Sequence, residues 1–183
     1  MIDRIEPGPT RPRPTASTAA VLGWFDGLAP LTPDEMPGTW HGSSVPSGHP
    51  FDGCLERFGW VGKRILSEEE VFPLLFATRG GRIVAVAPGR LPLGLALRLG
   101  LERHRAAAAL FGVAIGLFAT RRPGARLRRI EYRGVVSAAM IYDRLPIVDA
   151  FRRIDRDTVL GAMDYRGFEN PFFFKLERCR PPP

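Results

Sequence analysis

The run Gly38-Thr39-Trp40-His41-Gly42 decides the fold, because it places a tryptophan between two glycines at the start of the first strand-like segment. Glycines let a strand bend sharply, and a large indole can fill the end of a barrel. In a β-rich chain of 183 residues, this run indicates a closed barrel in which Trp40 plugs one end. We expect Arg178, on the last strand, to stack on the indole and complete the plug.

A second run, Gly48-His49-Pro50-Phe51-Asp52-Gly53, follows closely and places an imidazole and a carboxylate on one turn beside the barrel mouth. Binding and catalytic groups concentrate on such loops. We expect Asp52 to orient one nitrogen of His49, so that the other nitrogen acts as an acid or base near neutral pH. The alternative is that both side chains only hydrogen-bond the turn.

Nine short segments with strand character follow residue 37, and their spacing predicts a mainly β fold, an antiparallel barrel of about 8–10 strands. They are residues 38–45, 59–66, 71–78, 82–87, 126–133, 135–142, 148–154, 158–165 and 171–178. Upstream of them, an apolar face at helical spacing follows Ser17 or Thr18 and predicts an N-terminal helix. That face consists of Val21, Trp24, Phe25 and Leu28.

The length of the chain is that of one domain. Residues 1–16, rich in proline and arginine, are expected to form a disordered tail, and residues 17–183 a single barrel domain.

Residues 92–120 interrupt the strand pattern and predict a helical insert. This insert is expected to be a buried cap on the barrel. The alternatives are a mobile lid, a homodimer face, or an apolar wedge in a membrane interface, flanked by arginines.

The formal net charge of +7 first suggests nucleic acid or an anionic membrane as a partner. However, Lys63 and Lys175 are the only lysines, and an arginine bias of this kind is explained by the base composition of the encoding genome. Because no nucleic-acid-binding motif is present, we expect no nucleic-acid partner. Residues 1–20 lack the apolar core of a signal peptide, which favours a cytoplasmic location.

Several further motifs accompany the two glycine runs, and together they span residues 23 to 178. They are Gly59-Trp60-Val61-Gly62-Lys63, residues 131–138, residues 142–147 and Gly161-Ala162-Met163-Asp164. With these motifs the chain resembles the bacterial GXWXG family, in which a short motif region precedes a companion domain of unknown function. The resemblance implies a GXWXG part at residues 17–66 and a companion part at 67–183. The resemblance implies no particular activity. The chain is also similar, more weakly, to lipocalin and nitrobindin barrels.

Polar residues within the apolar strands must pair, face solvent or line a wet pocket, because burying one unpaired costs several kcal/mol. Lys63 is a candidate catalytic residue beside His49 and Asp52, since a desolvated lysine can stabilise a developing oxyanion. The candidate ligand-binding residues are Tyr142, Tyr132, Phe76, Phe174 and Asp164.

The spacing of His41, His49 and Cys54 matches no zinc motif, so we expect no metal site. No cofactor motif is present either.

These features favour a protein that binds a small, largely apolar organic ligand inside a barrel. The alternative is a cofactor-independent isomerase or cyclase that uses the same cavity, with His49 and Asp52 as the acid–base pair. Less favoured are haem binding, since no histidine follows His104, and peripheral attachment to a membrane. The sequence does not decide whether the protein is an enzyme.

Overall fold

The structure, a computed structural model, describes residues 16–90, 111–112 and 114–179. The α-helices that lie wholly within these residues are α1 (Thr18–Gly27) and α2 (Cys54–Arg57), and residues 111–112 and 114 are also helical. Short 3-10 turns lie at Pro33–Glu35, Pro88–Arg90 and Ile115–Phe118. The strands are β1 (Gly38–Ser44), β2 (Trp60–Ile65), β3 (Val71–Ala77), β4 (Ile83–Ala85), β5 (Ala125–Tyr132), β6 (Val135–Tyr142), β7 (Ile147–Arg153), β8 (Thr158–Tyr165) and β9 (Phe172–Arg178).

These nine strands form one antiparallel sheet that closes into a ring. Their order is β2-β1-β9-β8-β7-β6-β5-β3-β4, and a further pairing of β2 with β3 joins the two ends. Strand β3 pairs with two strands on this side of the ring. Its first residue, Val71, pairs with Ala125 of β5, and its other end pairs with β4. The predicted barrel, with its N-terminal helix, is therefore confirmed.

The predicted tail and much of the predicted insert lie outside the described residues. The described end of the insert packs on the barrel. The ring of Phe111 lies 5.0 Å from that of Phe58 and 5.6 Å from that of Phe76, and Ile115 is fully buried. A bridge between Val86 and Ala119 holds this end against the sheet.

Alternation along the strands separates two apolar clusters, one inside the barrel and one on its outer face. Helix α1 covers the outer cluster, where its residues Val21, Trp24 and Phe25 meet the sheet. The sheet contributes Ala150, Leu160, Ala162 and Phe173. The N-terminus of α1 is capped as predicted, because the Ser17 hydroxyl accepts a hydrogen bond from the backbone N–H of Ala20.

Trp40 fills one end of the barrel, as the sequence predicts. Its side chain is almost completely buried, and its indole N–H donates a hydrogen bond of 2.9 Å to the carbonyl of Met36. Arg178 lies directly opposite in the register of β1 and β9, and its guanidinium carbon is 4.1 Å from the indole centroid. The guanidinium also donates hydrogen bonds to the carbonyls of Glu35 and Pro37. This cation–π contact completes the plug.

The two flanking glycines make room for large side chains inside the barrel. A Cβ at Gly38 would lie 2.7 Å from Nη1 of Arg178, and a Cβ at Gly42 would lie 2.2 Å from the ring of Trp60. Both glycines share the inner face of β1 with Trp40, because side chains two residues apart on a strand point the same way. The two glycines of the motif therefore leave the space that the side chains of Arg178 and Trp60 occupy at this end of the barrel.

We predict that Trp40→Ala destabilises the fold by about 3–5 kcal/mol, because it removes a buried indole and its hydrogen bond and leaves a cavity. Urea denaturation monitored by circular dichroism measures this loss. The control Val136→Ala truncates a side chain that is 55% exposed and should change stability by no more than about 0.5 kcal/mol. An unaltered unfolding midpoint for Trp40→Ala would contradict the plug.

Candidate functional site

The barrel encloses an apolar cavity of about 70 Å³. A cavity of this size exceeds the volume that a single water molecule needs. Its wall is mostly aliphatic and aromatic, with Trp60, Leu74, Leu145, Ile147, Met163 and Phe174 among its residues. Lys63, Tyr142 and Tyr165 add polar groups to the lining. The cavity therefore combines an apolar interior with one polar region.

A β-bulge in β2 turns Lys63 toward the inside of the barrel. The register between β2 and β3 shifts on either side of Gly62, so Trp60 and Lys63 are both buried although they are three residues apart. In a regular strand, residues three apart would face opposite sides of the sheet. Gly62 has φ 143°, and a Cβ there would lie 1.8 Å from the carbonyl oxygen of Trp40. Only glycine fits this position.

Lys63 is the centre of a buried hydrogen-bonded cluster. Its Nζ donates to Oδ2 of Asp149 at 2.9 Å, to Oη of Tyr142 at 3.0 Å and to the carbonyl of Pro73 at 3.2 Å. The Tyr142 hydroxyl in turn donates to Oδ2 of Asp149 at 3.2 Å. Lys63 is 3% exposed and Asp149 is 0% exposed, so the ion pair is shielded from solvent. All three N–H donors of the ammonium group are used.

Burial controls the protonation of this cluster. Desolvation raises the pKa of Asp149, while the charge and hydrogen bond of Lys63 oppose that rise. Desolvation also raises the pKa of Tyr142 well above its usual value, and the neighbouring carboxylate of Asp149 adds to the effect. Tyr142 therefore remains a neutral proton donor, and Asp149 is a stronger base than an exposed aspartate.

Two buried polar atoms beside this cluster have no hydrogen-bond partner among the described residues. They are Oδ1 of Asp149 and the indole Nε1 of Trp60. Buried polar groups are normally paired, so an orphaned acceptor and an orphaned donor near one cavity are features that a bound molecule or a water could satisfy. Aromatic rings surround the ammonium group, with the Phe174 centroid 4.8 Å and the Trp60 centroid 5.9 Å from Nζ.

His49 lies in an aromatic cluster next to the cavity lining. Its ring stacks on Phe51 at 5.4 Å and contacts Phe168 at 5.1 Å and Phe172 at 5.7 Å between centroids. Phe51 and Phe172 themselves line the cavity, so His49 is separated from it by one layer of rings. Burial lowers the pKa of His49, opposed by the charge of Asp52 and by a backbone hydrogen bond at Asn170.

Asp52 holds the backbone of the turn instead of the imidazole. Its Oδ2 accepts hydrogen bonds from the N–H groups of Ser47, Gly48 and His49 at 2.8–3.0 Å, and its Oδ1 has no partner among the described residues. The ring Nδ1 of His49 accepts from the N–H of Phe51 at 3.1 Å. The expected hydrogen bond between Asp52 and the imidazole is therefore absent from the described residues. The Asp52 carboxylate accepts from backbone N–H groups of its own loop, as aspartates in Asx-type turns do, and not from the imidazole.

The structure brings some of the predicted pocket residues together and separates others. Tyr142, Phe174 and Lys63 line the cavity, and Phe76 lies inside the barrel against Phe111. The expected placement of two further residues in the pocket is corrected. Tyr132 packs edge-on against Phe25 of α1, on the outer face. Asp164 is exposed and lies one residue from the cavity-lining Met163, so alternation points it outward.

Asp149 is the functional residue that sequence reasoning missed. It lies on β7 between the inward-facing Ile147 and Phe151, so the period of two places it inside the barrel. A buried lysine needs a counter-charge, and an acid at an inward position of an apolar strand was the available signal. Arg152, on the opposite face, is fully buried beneath the Phe25 ring of α1 and was also missed.

Metal clusters and membrane-spanning helices have no candidate within residues 16–90, 111–112 and 114–179. No group of three or more His, Cys, Asp or Glu side chains in these ranges could hold a metal ion. No helix within them is both long and apolar enough to span a bilayer.

The fold and the site define a closed antiparallel β-barrel with an apolar cavity and a buried Lys–Tyr–Asp cluster. A family model described as GXWXG protein matches residues 23–81, and one described as domain of unknown function DUF4334 matches residues 123–178. A structure entitled "Crystal structure of protein from Thermomonospora curvata" is 34% identical, with a TM-score of 0.68, over 91% of this chain and 90% of that chain. The chain belongs to the GXWXG family, with its companion domain of unknown function. No curated protein matches it.

We predict that Gly62→Ala destabilises the protein by more than about 2 kcal/mol, because the new Cβ meets the Trp40 carbonyl and the backbone has positive φ. Chemical denaturation gives the loss. Gly80→Ala is the matched control, since a Cβ there meets nothing within 4 Å, and it should change stability by less than about 1 kcal/mol. Equal stabilities of the two variants would show that the bulge does not require glycine.

We also predict that neutral His49 makes the fold sensitive to acid. Because burial lowers its pKa in the folded state, the unfolded chain takes up a proton first as the pH falls through about 6.5, the ordinary value for histidine. Folded-state stability is therefore lost over this range. Thermal melts between pH 8 and pH 5 should show a smaller acid-induced loss in His49→Gln than in the wild type. The exposed His41→Gln is the control, and a loss that is identical in all three proteins would contradict the prediction.

Proposed function

We propose that the protein binds a small, largely apolar organic molecule in the barrel cavity. The observation that carries the proposal is one buried Lys–Tyr–Asp cluster, of which Lys63 and Tyr142 line a largely apolar cavity. Ligand sites of proteins typically combine an apolar lining with a few convergent polar groups. The family's barrel fold is consistent with this role.

The energetics of the cluster support a functional role. Replacing a buried ion pair by apolar residues of similar volume is often neutral or stabilising, so such a pair is weak evidence for stability. Here the pair also leaves Oδ1 of Asp149 without a partner. Strongly perturbed titratable groups beside a cavity are typical of functional sites.

The same geometry restricts the charge and size of the ligand. Lys63 and Asp149 neutralise each other, so the wall presents no excess charge to a bound molecule. At about 0.8 kcal/mol per buried methylene, a five-carbon chain gains about 4 kcal/mol. This gain corresponds to a dissociation constant of about 1 mM, before the costs of binding. We therefore expect a neutral molecule of few carbons to bind weakly, and a natural ligand with matched polar groups to bind more tightly.

The test compares two leucine variants that add the same bulk at different places. Leu145 is partly buried and lines the cavity, whereas Leu66 is 56% exposed. The affinity for 1-pentanol, measured by ligand-observed NMR, should fall at least tenfold in Leu145→Trp and be unchanged in Leu66→Trp. Native mass spectrometry of the freshly purified protein would identify a retained natural ligand. Equal pentanol binding by both variants, or none by the wild type, would contradict the proposal.

A second candidate function, a cofactor-independent isomerase or cyclase, is favoured by the acid–base groups in the cavity wall. Asp149 is a base and Tyr142 a proton donor, and they are 3.2 Å apart. In this proposal the acid–base role passes from His49 and Asp52 to the Lys63 cluster, because Lys63 and Tyr142 line the cavity. Turnover of the retained ligand separates the two functions. Tyr142→Phe should abolish turnover by an enzyme but only alter affinity in a binding protein.

A further inference from the structure

We propose that Lys63 forms a reversible imine with a small apolar aldehyde or ketone in the cavity. This inference rests on the proposed ligand-binding function and names the chemical class of the ligand. Lys63 lines the cavity, a carboxylate oxygen lies 2.9 Å from its Nζ, and a tyrosine hydroxyl lies 3.0 Å from it. A desolvated lysine with a base and a proton donor in contact is the arrangement that carbonyl condensation requires.

The hydrogen bonds of the cluster favour a carbonyl compound over other polar ligands. Nζ already donates to three acceptors, so a ligand that only accepts a hydrogen bond from Nζ would have to displace one of them. A carboxylate ligand would also place a second negative charge beside Asp149, and an amine ligand would meet the positive charge of Lys63. A neutral carbonyl group avoids both repulsions, and its carbon can react with the nitrogen lone pair.

The reaction balances with the groups present. The ammonium group of Lys63 gives one proton to Asp149, and the neutral amine attacks the carbonyl carbon. As the C–N bond forms, the C=O π electrons move to oxygen, and Tyr142 relays a proton from nitrogen to that oxygen. Asp149 then returns its proton to the hydroxyl group, which leaves as water. An iminium ion remains paired with the Asp149 carboxylate, and hydrolysis reverses every step.

The surroundings of the nitrogen favour the condensed product. The Phe174 and Trp60 rings lie 4.8 Å and 5.9 Å from Nζ and exclude bulk water, which would otherwise hydrolyse the iminium ion. Oδ1 of Asp149 is a free acceptor for the released water molecule. The ring faces also stabilise a delocalised cation at this position.

The experiment uses the fact that the sequence contains two lysines, Lys63 and Lys175. The full chain is incubated with pentanal and sodium cyanoborohydride at neutral pH, and the reduced adducts are located by peptide mass spectrometry. Lys63 should be alkylated at least tenfold faster than Lys175, although their exposures of 3% and 19% predict the opposite order for simple accessibility. With glyoxylate, a charged aldehyde, Lys63 should not be labelled faster than Lys175, because an apolar cavity excludes the charged reagent.

Variants distinguish a reactive site from a merely accessible one. Leu145→Trp, which fills the cavity, should reduce labelling of Lys63 at least tenfold, whereas Leu66→Trp should leave it unchanged. Tyr142→Phe preserves the ring but removes the proton relay, and it should slow labelling of Lys63 without affecting Lys175. Melting temperatures establish that each variant is folded, and the labelling of Lys175 in the same sample corrects for reagent activity.

Binding of 1-pentanol separates failure of this inference from failure of the proposed function. If the alcohol binds in the cavity but Lys63 is labelled no faster than Lys175, imine formation is overturned and ligand binding stands. If neither the alcohol nor the aldehyde engages the site, both proposals are overturned. Selective labelling of Lys63 that Leu145→Trp abolishes supports both.

Discussion

The close approach of Gly62 to the carbonyl of Trp40 is the contact on which the interior of this barrel depends. With no Cβ at position 62, β2 can lie close against β1 while a bulge shifts its register with β3, and the bulge turns Lys63 from the outer to the inner face. A charged group inside an apolar barrel then requires a partner, which Asp149 supplies from the far side of the ring. The position of one glycine therefore determines the chemistry of the cavity wall.

The plug and the cavity are two differently packed parts of the barrel interior. At the plug, the polar groups are paired: the Trp40 indole donates to the carbonyl of Met36, and Arg178 stacks on the indole and donates to the carbonyls of Glu35 and Pro37. At the cavity, Trp60 of the lining and Asp149, which pairs with the lining residue Lys63, each retain an unpaired polar atom among the described residues. A barrel of this kind can either pack its interior with side chains or leave room for one small molecule; here one end is packed by the plug, and a cavity remains elsewhere in the interior.

The sequence predicts the positions of the strands well but the direction of individual side chains less well. All nine strands occur within two residues of their predicted bounds, because alternation and glycine-rich turns are local signals. Arg178 was placed on Trp40 correctly, since the first and last strands of a closed barrel are neighbours. Tyr132 was expected inside but packs against Phe25 of α1 on the outer face, because composition alone does not show which face of a strand points inward.

What the sequence by itself determined is the β-barrel, the start of its N-terminal helix, the Trp40 plug and the candidacy of Lys63 and Tyr142 as cavity residues. Only the tertiary structure decided that Lys63 and Asp149, 86 residues apart, form one ion pair, and that Asp52 caps a backbone turn while His49 lies behind a layer of aromatic rings. The reason is physical. Strand and turn propensities are set by neighbours along the chain, whereas the partner of a buried charge is set by the closure of the ring, which brings distant strands face to face.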